Sequence, residues 1–473
     1  MLPELVSTDA SPHSQVPVVV VKAAAAERLR RGSLTLRHED LVAGRGPVPV
    51  GAAVRLTDER GRPLGTGLGA APGPTPLAIR LFDRGAALLD DGELSRRLLK
   101  AAELRAALLR LDSPSRPEGA PRAERAELTA APLRRDAYRL VHGEADGLPG
   151  LFIDRYGDAA VIQTATAAMD ARKGRIAALL VESLGLTWVV CRDDGSARDV
   201  ESLPRERGVL IDHRDRTRAT GDGAPRGRSA ADRAGAASTM ASFHDAGSRM
   251  QADLLSDRKT GSFLDQQENH ALAAAYAGRL FSARSGAAPT ALDAFSYHGG
   301  FALALARAGL AVLACDEDPE AVARARHNAA LNRVTVDFRV ENAFDLLRRL
   351  EAAGARFDVV VIDPPALAKR GRDRSSAPGA SGNRDDNASW ARAYRELNLR
   401  AIRLLAPGGL LVSCSCSGRV SPALFGDLLQ GAAADARRSL QLLERRGAGA
   451  DHPVLLHWPE SEYLKCWFLH ALD

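Results

Sequence analysis

Apolar and polar positions along this chain change rhythm twice. From residue 16 to about 82 they alternate in short bursts, "VPVVVVK", "SLTLRH", "AAVRLTD" and "LAIRLFD", with "ERGRPLG" as a turn. Short strands between Gly/Pro turns predict a small β-barrel-like module over 16–82. Residues 92–112 carry apolar positions at helical spacing and predict an amphipathic helix. It opens a second unit, 83–212, in which "YRLVHGEADGLPGLFIDRYGDAAVIQ" reads as two strands around a Gly/Pro/Asp turn. A helix and the apolar strand "TWVVCRDD" follow. Residues 213–240 are poor in apolar side chains and rich in Arg, Gly, Ala and Asp, which predicts a flexible insertion.

From 241 to 473 strand and helix patterns alternate strictly: "ALDAFS", "GGFALALARAG", "AVLACDED", "PEAVARARHNAALN", "VDFRV", "AFDLLRRLEAAG", "FDVVVIDPP", a long helix and "LLVSCSCS". Such alternation means a parallel sheet with helices on both faces, a Rossmann-like α/β domain. Near the end, "EYLKCWFLHAL" follows closely on "HPVLLHW", so the two predict an antiparallel edge pair.

Composition narrows the class. The chain has 473 residues, 45% hydrophobic and 26% charged, and no apolar run long enough to span a membrane. A net charge of +5 permits a nucleic-acid partner without demanding one. The start "MLPELVSTDASPHSQ" lacks the basic and apolar segments of a secretory signal. Five scattered cysteines form no disulfide framework and fit a reducing cytoplasm.

In an open parallel sheet, ligands collect at the carboxyl ends of the strands. The first end, "LDAFSYHGG", offers Asp293, Phe295, Ser296, Tyr297, Gly299 and Gly300. The glycines let a ligand approach the backbone at a helix start. The second end is Asp316, placed to accept both hydroxyls of a ribose. Asn342 follows the third and suits an adenine edge, and Asp363 opens "DPP" after the fourth. The fifth carries Cys414 and Cys416, which share one face of an extended strand. Cys414 reads as a small buried hydrophobe. No accompanying Cys/His cluster supports a metal site. Glycine turn, ribose acid and "DPP" in this order point to S-adenosylmethionine. The absence of GxGxxG argues against a nicotinamide dehydrogenase.

With "YRLVHGEADGLPGLFIDRYGD", "DRKTGSFLDQQENH", "LDAFSYHGGFALALARAG", "VVVIDPP", "SCSG" and "DHPVLLHWPESEYLKCWFL", the chain resembles the RlmI-type large-subunit rRNA 5-methylcytosine methyltransferases over most of 135–473. The resemblance implies an N-terminal PUA-like RNA-binding module, a mixed α+β middle domain and a class I methyltransferase domain. It implies cytoplasmic action on RNA, with a homodimer as one assembly. It places cofactor contacts at Lys259, Phe263, Asp265, Gln266, Phe295, Gly299, Asp316, Asn342 and Asp363, and the catalytic cysteine at Cys416. The chemistry it implies is thiolate addition to C6 of cytosine, which makes C5 nucleophilic, with Asp363 placed to hold the N4 amino group or the protonated N3.

Three features depart from the family. Ala366 stands where members usually carry lysine, "SLTLRHEDL" lacks the expected aromatic, and the insertions at 213–240 and 370–388 are longer. The second insertion follows "DPP" and is rich in arginine, as a phosphate-contacting lid or a disordered segment would be. Two other functions compete: N-methylation of an exocyclic amine or guanine, and a non-catalytic RNA-binding or ribosome-assembly role. Amino-methylating enzymes usually place an aromatic after the prolines, and Ala366 is not one.

Overall fold

The computed structural model describes residues 16–43, 48–109, 135–214, 238–282, 286–367, 384–458 and 461–473. The insertions expected at 213–240 and 370–388, and the lid reading of the second, lie almost wholly outside these residues.

The N-terminal sheet holds β1 (Val18–Val21), β2 (Thr35–Arg37), β3 (Ala53–Asp58), β4 (Pro63–Gly69) and β5 (Leu77–Asp83), in the order β1-β3-β4-β5-β2. A helix at Ala23–Arg30, absent from the strand-only expectation, buries Ala25, Ala26 and Leu29. Its four alanines favour a helix over a strand. Part of the predicted turn "ERGRPLG" belongs to β4.

The middle sheet orders β6 (Ala137–His142), β7 (Leu151–Tyr156), β8 (Ala159–Thr164), β9 (Trp188–Asp193) and β10 (Glu206–Asp212) as β10-β9-β8-β7-β6. The predicted amphipathic helix forms at Asp91–Leu109 and sets Leu94, Leu98 and Ala101 into a core with Leu140 and Ile162. A hairpin, β11 (Met240–Asp245) and β12 (Ser248–Asp253), follows.

The last sheet orders β13 (Thr290–Ala294), β14 (Ala311–Asp316), β15 (Val336–Val340), β16 (Phe357–Ile362), β17 (Leu405–Ser415), β18 (Leu440–Arg446) and β19 (Lys465–Ala471) as β15-β14-β13-β16-β17-β19-β18. The first five are parallel, and β19 is antiparallel to both β17 and β18. The edge strand is therefore Leu440–Arg446, not the expected "HPVLLHW", which forms turns. Val359, Val360, Val361 and Ile362 are fully buried, as a central strand covered on both faces requires. The chain lays β14 on one side of β13 and β16 on the other, so the crevice for a ligand opens at their carboxyl ends. One apolar cluster runs from Tyr156 and Val190 through Phe243 and Met250 to Phe301 and Val361, tying the middle sheet to the last. No helix among the described residues is long and apolar enough to cross a membrane.

Candidate active site

The turn after β13 is wound through unusual backbone. Phe295 (φ 70°), Tyr297 (φ 47°) and Gly299 (φ 88°) all lie in the left-handed region, which disfavours side chains at the first two. Backbone bonds hold it: Ser296 N–H donates to Cys315 O at 2.8 Å and Gly299 N–H to Ser296 O at 2.8 Å. Asp316 accepts from Tyr297 N–H at 2.9 Å and from Asp318 N–H at 3.0 Å. Asp293 accepts from Ala302 N–H at 3.0 Å, inside the first turn of the helix Gly300–Arg307. At Gly300 a Cβ would stand 2.2 Å from His270 Cε1, so the imidazole packs where only glycine leaves room. His270 Nδ1 meets Asp245 Oδ1 at 2.9 Å and the ring stands edge-on to Phe301.

The loop before the helix Gln267–Phe281 forms the opposite wall. Lys259 lies 3.2 Å from Asp265 Oδ2 and 4.1 Å from the centre of the Phe263 ring, which meets Tyr297 edge-on. Tyr463 Oη donates to Asp265 at 2.6 Å, and Gln266 Nε2 donates to Asp363 Oδ2 at 3.1 Å.

Burial and charge move these acids apart. Burial pushes Asp293 up to about 7, His270 opposing and Asp363 adding to it. Burial, with Asp265 nearby, pushes Asp363 up to about 6. Asp265 also suffers burial, but Lys259, His452 and the Tyr463 hydroxyl outweigh it and hold the carboxyl well below the usual range. Burial alone would lower His270, and Asp245 turns the shift upward. Such divergence within one cleft is typical of functional sites.

Cys416 follows the end of β17 and lines the same cavity, its Sγ 3.9 Å from Pro364 O. Burial, reinforced by Asp363 and opposed by Lys259, pushes the thiol up to about 11. Cys414 lies in the core, opposite Cys466 in the strand register. Cys414, inside β17, thus packs in the core, and Cys416, just past its end, faces the cavity.

Of the residues singled out from sequence, Lys259, Phe263, Asp265 and Gln266 line this cavity. So do Asp293, Phe295, Ser296, Tyr297 and Gly300, and also Asp316, Asp363 and Cys416. Gly299 sits behind it as the helix cap. Asn342 is not a lining residue: it caps the helix Ala343–Ala352, accepting from Phe344 N–H at 3.0 Å, and reaches Glu317 Oε2 at 3.3 Å. Sequence reasoning missed Asp245, His270 and Glu317 in the lining. The cavity wall also contains buried polar atoms without a protein partner: Asp265 Oδ1, Asp293 Oδ1, Ser296 Oγ and His298 Nδ1. Two unmet carboxylate oxygens and a hydroxyl fit a ligand that brings an ammonium and further hydrogen-bonding groups.

A second cavity of about 490 Å³ adjoins the first, sharing Lys259. Phe152, His142 and Trp458 give it aromatic walls, and Arg139, Arg192 and Arg198 add cations. These arginines are also structural. Arg192 donates to Leu254 O and Asp257 O and pairs with Asp194, and Arg198 donates to Pro204 O, Thr164 O and Asp170. Glu201 accepts from Ala71 N–H, Ala167 N–H and Arg80. The cluster of Cys191, Asp193 and Glu206 is met by the Lys173 ammonium, which pairs with Asp193, Glu206 and Asp170.

Comparison with known proteins agrees with this architecture. A PUA-like domain model matches residues 19–70 and a methyltransferase domain model matches 287–444. The ribosomal RNA large subunit methyltransferase I of Klebsiella pneumoniae strain 342 is 31% identical over 92% of this chain and 95% of its own length. The protein of the same name from Erwinia tasmaniensis is 32% identical over 70% and 73%. A SAM-dependent methyltransferase from Streptococcus mutans superposes with a TM-score of 0.67 at 16% identity, over 96% of this chain and 100% of that one. A methyltransferase solved with SAH gives 0.68 at 17% over the same shares. At these identities the two structures speak for the fold.

Proposed function

Because the chain belongs to the ribosomal RNA large subunit methyltransferase I family, we propose that it methylates C5 of a cytosine in large-subunit ribosomal RNA through a covalent bond between Cys416 and C6 of the base. The single observation that carries this reading is the position of Cys416: a thiol on the wall of the cavity that gathers the strand-end acids.

S-adenosylmethionine is the cofactor of this S-adenosylmethionine-dependent RNA methyltransferase, and when bound it supplies an electrophilic methyl group and a positive sulfonium. The residues present fit it. Asp316 has lone pairs left for a ribose diol after its two backbone bonds. The partnerless oxygens of Asp293 and Asp265 suit an ammonium.

Cys416 starts as a thiol, since its ordinary proton affinity is raised. After giving its proton to solvent, its sulfur bonds to C6 and the C5–C6 π pair shifts onto C5. Once C5 is methylated, solvent water takes the C5 proton, the C5–H pair re-forms the C5–C6 double bond, and the Cys416–C6 bond breaks with its electrons returning to sulfur. Asp363 accepts from the N4 amino group and so distinguishes cytosine from uracil. Pro364 and Pro365, with φ fixed by their rings, hold that carboxylate's strand end against the cavity. The base must leave its stack to reach Cys416. The aromatic walls of the adjoining cavity support that reading, because ring faces hold unstacked bases.

The test supplies labelled S-adenosylmethionine and unmodified large-subunit rRNA to wild type and Cys416→Ser, then identifies the labelled nucleoside after digestion. The reading expects 5-methylcytidine from wild type and none from the variant. Label on another nucleoside, or an equally active variant, contradicts it.

A further inference from the structure

Cys416 faces a difficulty that its own surroundings pose. Burial raises its thiol, and the Asp363 carboxylate adds to the effect, yet nucleophilic addition needs the thiolate. Lys259 opposes the rise, but it is 42% exposed and paired with Asp265, and the thiol stays raised despite it.

Strand β19 brings another. Lys465 pairs with Ser415 in the antiparallel register, which sets it beside the end of β17. Its side chain is 1% exposed. Its ammonium donates to Ser417 O at 2.6 Å, one residue on from the cysteine, and to Tyr463 O at 2.8 Å. Both partners are neutral carbonyls, and among the described residues no carboxylate lies within ion-pair distance of it. The other buried lysine, Lys173, is surrounded by three carboxylates. A buried ammonium without an anion is costly and is rarely kept without a partner to come.

We propose that Lys465 is a positioning residue for the nucleophile: it fixes Ser417 beside Cys416 and holds the counter-charge for the Cys416 thiolate. When the thiolate forms, the proton passes to solvent, the sulfur keeps the electron pair and Lys465 stays protonated, so the buried pair becomes neutral. The proposal rests on Cys416 being the attacking residue.

The charges around the two groups define the pH behaviour. Cys416 is faced by Asp363 at the end of β16, Lys259 and Asp265 from the loop, Tyr394 from the helix Arg384–Leu404, and Lys465 from β19. Lys465 is faced by Cys416 and Glu462. Burial lowers the lysine to about 8 and Cys416 pulls it back up. The ammonium is therefore present below about pH 8, where it favours the minor thiolate fraction, and is lost before Cys416 reaches its own midpoint at about 11. A nearby cation lowers an acid's pKa by roughly one to three pH units.

The test needs no RNA. Alkylation of Cys416 by iodoacetamide is followed by peptide mass spectrometry from pH 6 to pH 11, in wild type, Lys465→Met, Lys465→Gln and Lys465→Arg. Only the thiolate reacts. The neutral variants should alkylate about tenfold more slowly between pH 6 and pH 7.5, where Lys465 carries its charge, and converge on wild type toward pH 11. The arginine variant should stay near wild type. If Lys465→Met does not melt cooperatively, Lys465→Gln, which keeps a donor for Ser417, carries the comparison. A neutral variant that melts and binds S-adenosylmethionine like wild type, yet alkylates as fast as wild type at pH 7, overturns the proposal. So does an arginine variant slowed at pH 7 as far as the neutral ones. Methyl transfer by Cys416→Ser would instead defeat the proposed function, and this readout tells the two failures apart.

Discussion

Replacing Asp293 by asparagine should stabilise the protein while loosening its hold on the cofactor. The carboxyl is 1% exposed, one oxygen accepts from Ala302 N–H and the other has no protein partner. Burial pushes it from an ordinary 3.8 up to about 7. Because the folded pKa is raised, the folded state binds more protons than the unfolded one between about pH 4 and pH 7. Stability therefore falls as pH rises through that window. The full penalty, above pH 7, is about three pH units at about 1.4 kcal/mol each, or about 4 kcal/mol. At pH 5 less than half of it has developed. Asparagine keeps the acceptor for Ala302 and never ionises. Urea unfolding of both proteins at pH 5 and pH 8, without cofactor, should show the variant's advantage growing by about 2 to 3 kcal/mol between the two conditions. Comparing two pH values cancels any fixed difference between the side chains. Calorimetry should show weaker S-adenosylmethionine binding, since a neutral amide replaces an anion facing the ammonium. An advantage that stays constant or shrinks with pH would refute the reasoning, because Asp293 would then not be an uncompensated buried acid.

Gly300→Ala places a methyl 2.2 Å from the His270 ring, which Asp245 and Phe301 hold in place. Urea titration should show a loss of about 1–3 kcal/mol, and calorimetry a weaker cofactor complex. Cys414→Ala removes a sulfur from the core without touching the cavity. It should cost about 1–2 kcal/mol of stability by denaturant titration and leave methyl transfer near wild type.

How much of this was legible in the sequence depends on whether a feature is local. The β/α alternation of the last sheet reads directly, because Val359 to Ile362 must be apolar on both faces of a central strand. The cavity residues from Asp293 to Gly300, Asp363 and Cys416 read for a related reason: strand ends are short linear segments whose place follows from the alternation. The Asp245–His270 pair does not, since a hairpin and a helix contribute one residue each and neither carries a local signal. Lys465 carries no local signal in "EYLKCWFLHAL", and only the register against Ser415 sets it beside the end of β17. The wrong edge strand has a physical cause as well. Leu440–Arg446 leaves Leu442 and Leu443 exposed and lacks a clear two-residue alternation, whereas "HPVLLHW" reads as apolar although Leu456 is 98% exposed. The helix Ala23–Arg30 is hidden by the strands around it, and Asn342 caps the helix Ala343–Ala352, a role its sequence position alone does not reveal.

The central claim is a covalent bond between Cys416 and C6 of cytosine. An RNA substrate carrying 5-fluorocytidine tests it most directly, because fluorine at C5 blocks the proton loss that would release the cysteine. Wild type with S-adenosylmethionine should form a complex that survives denaturing electrophoresis, with the RNA attached to the peptide that contains Cys416, and Cys416→Ser should form none. Methylation of the fluorinated RNA with no such complex, or a complex through another residue, would contradict it.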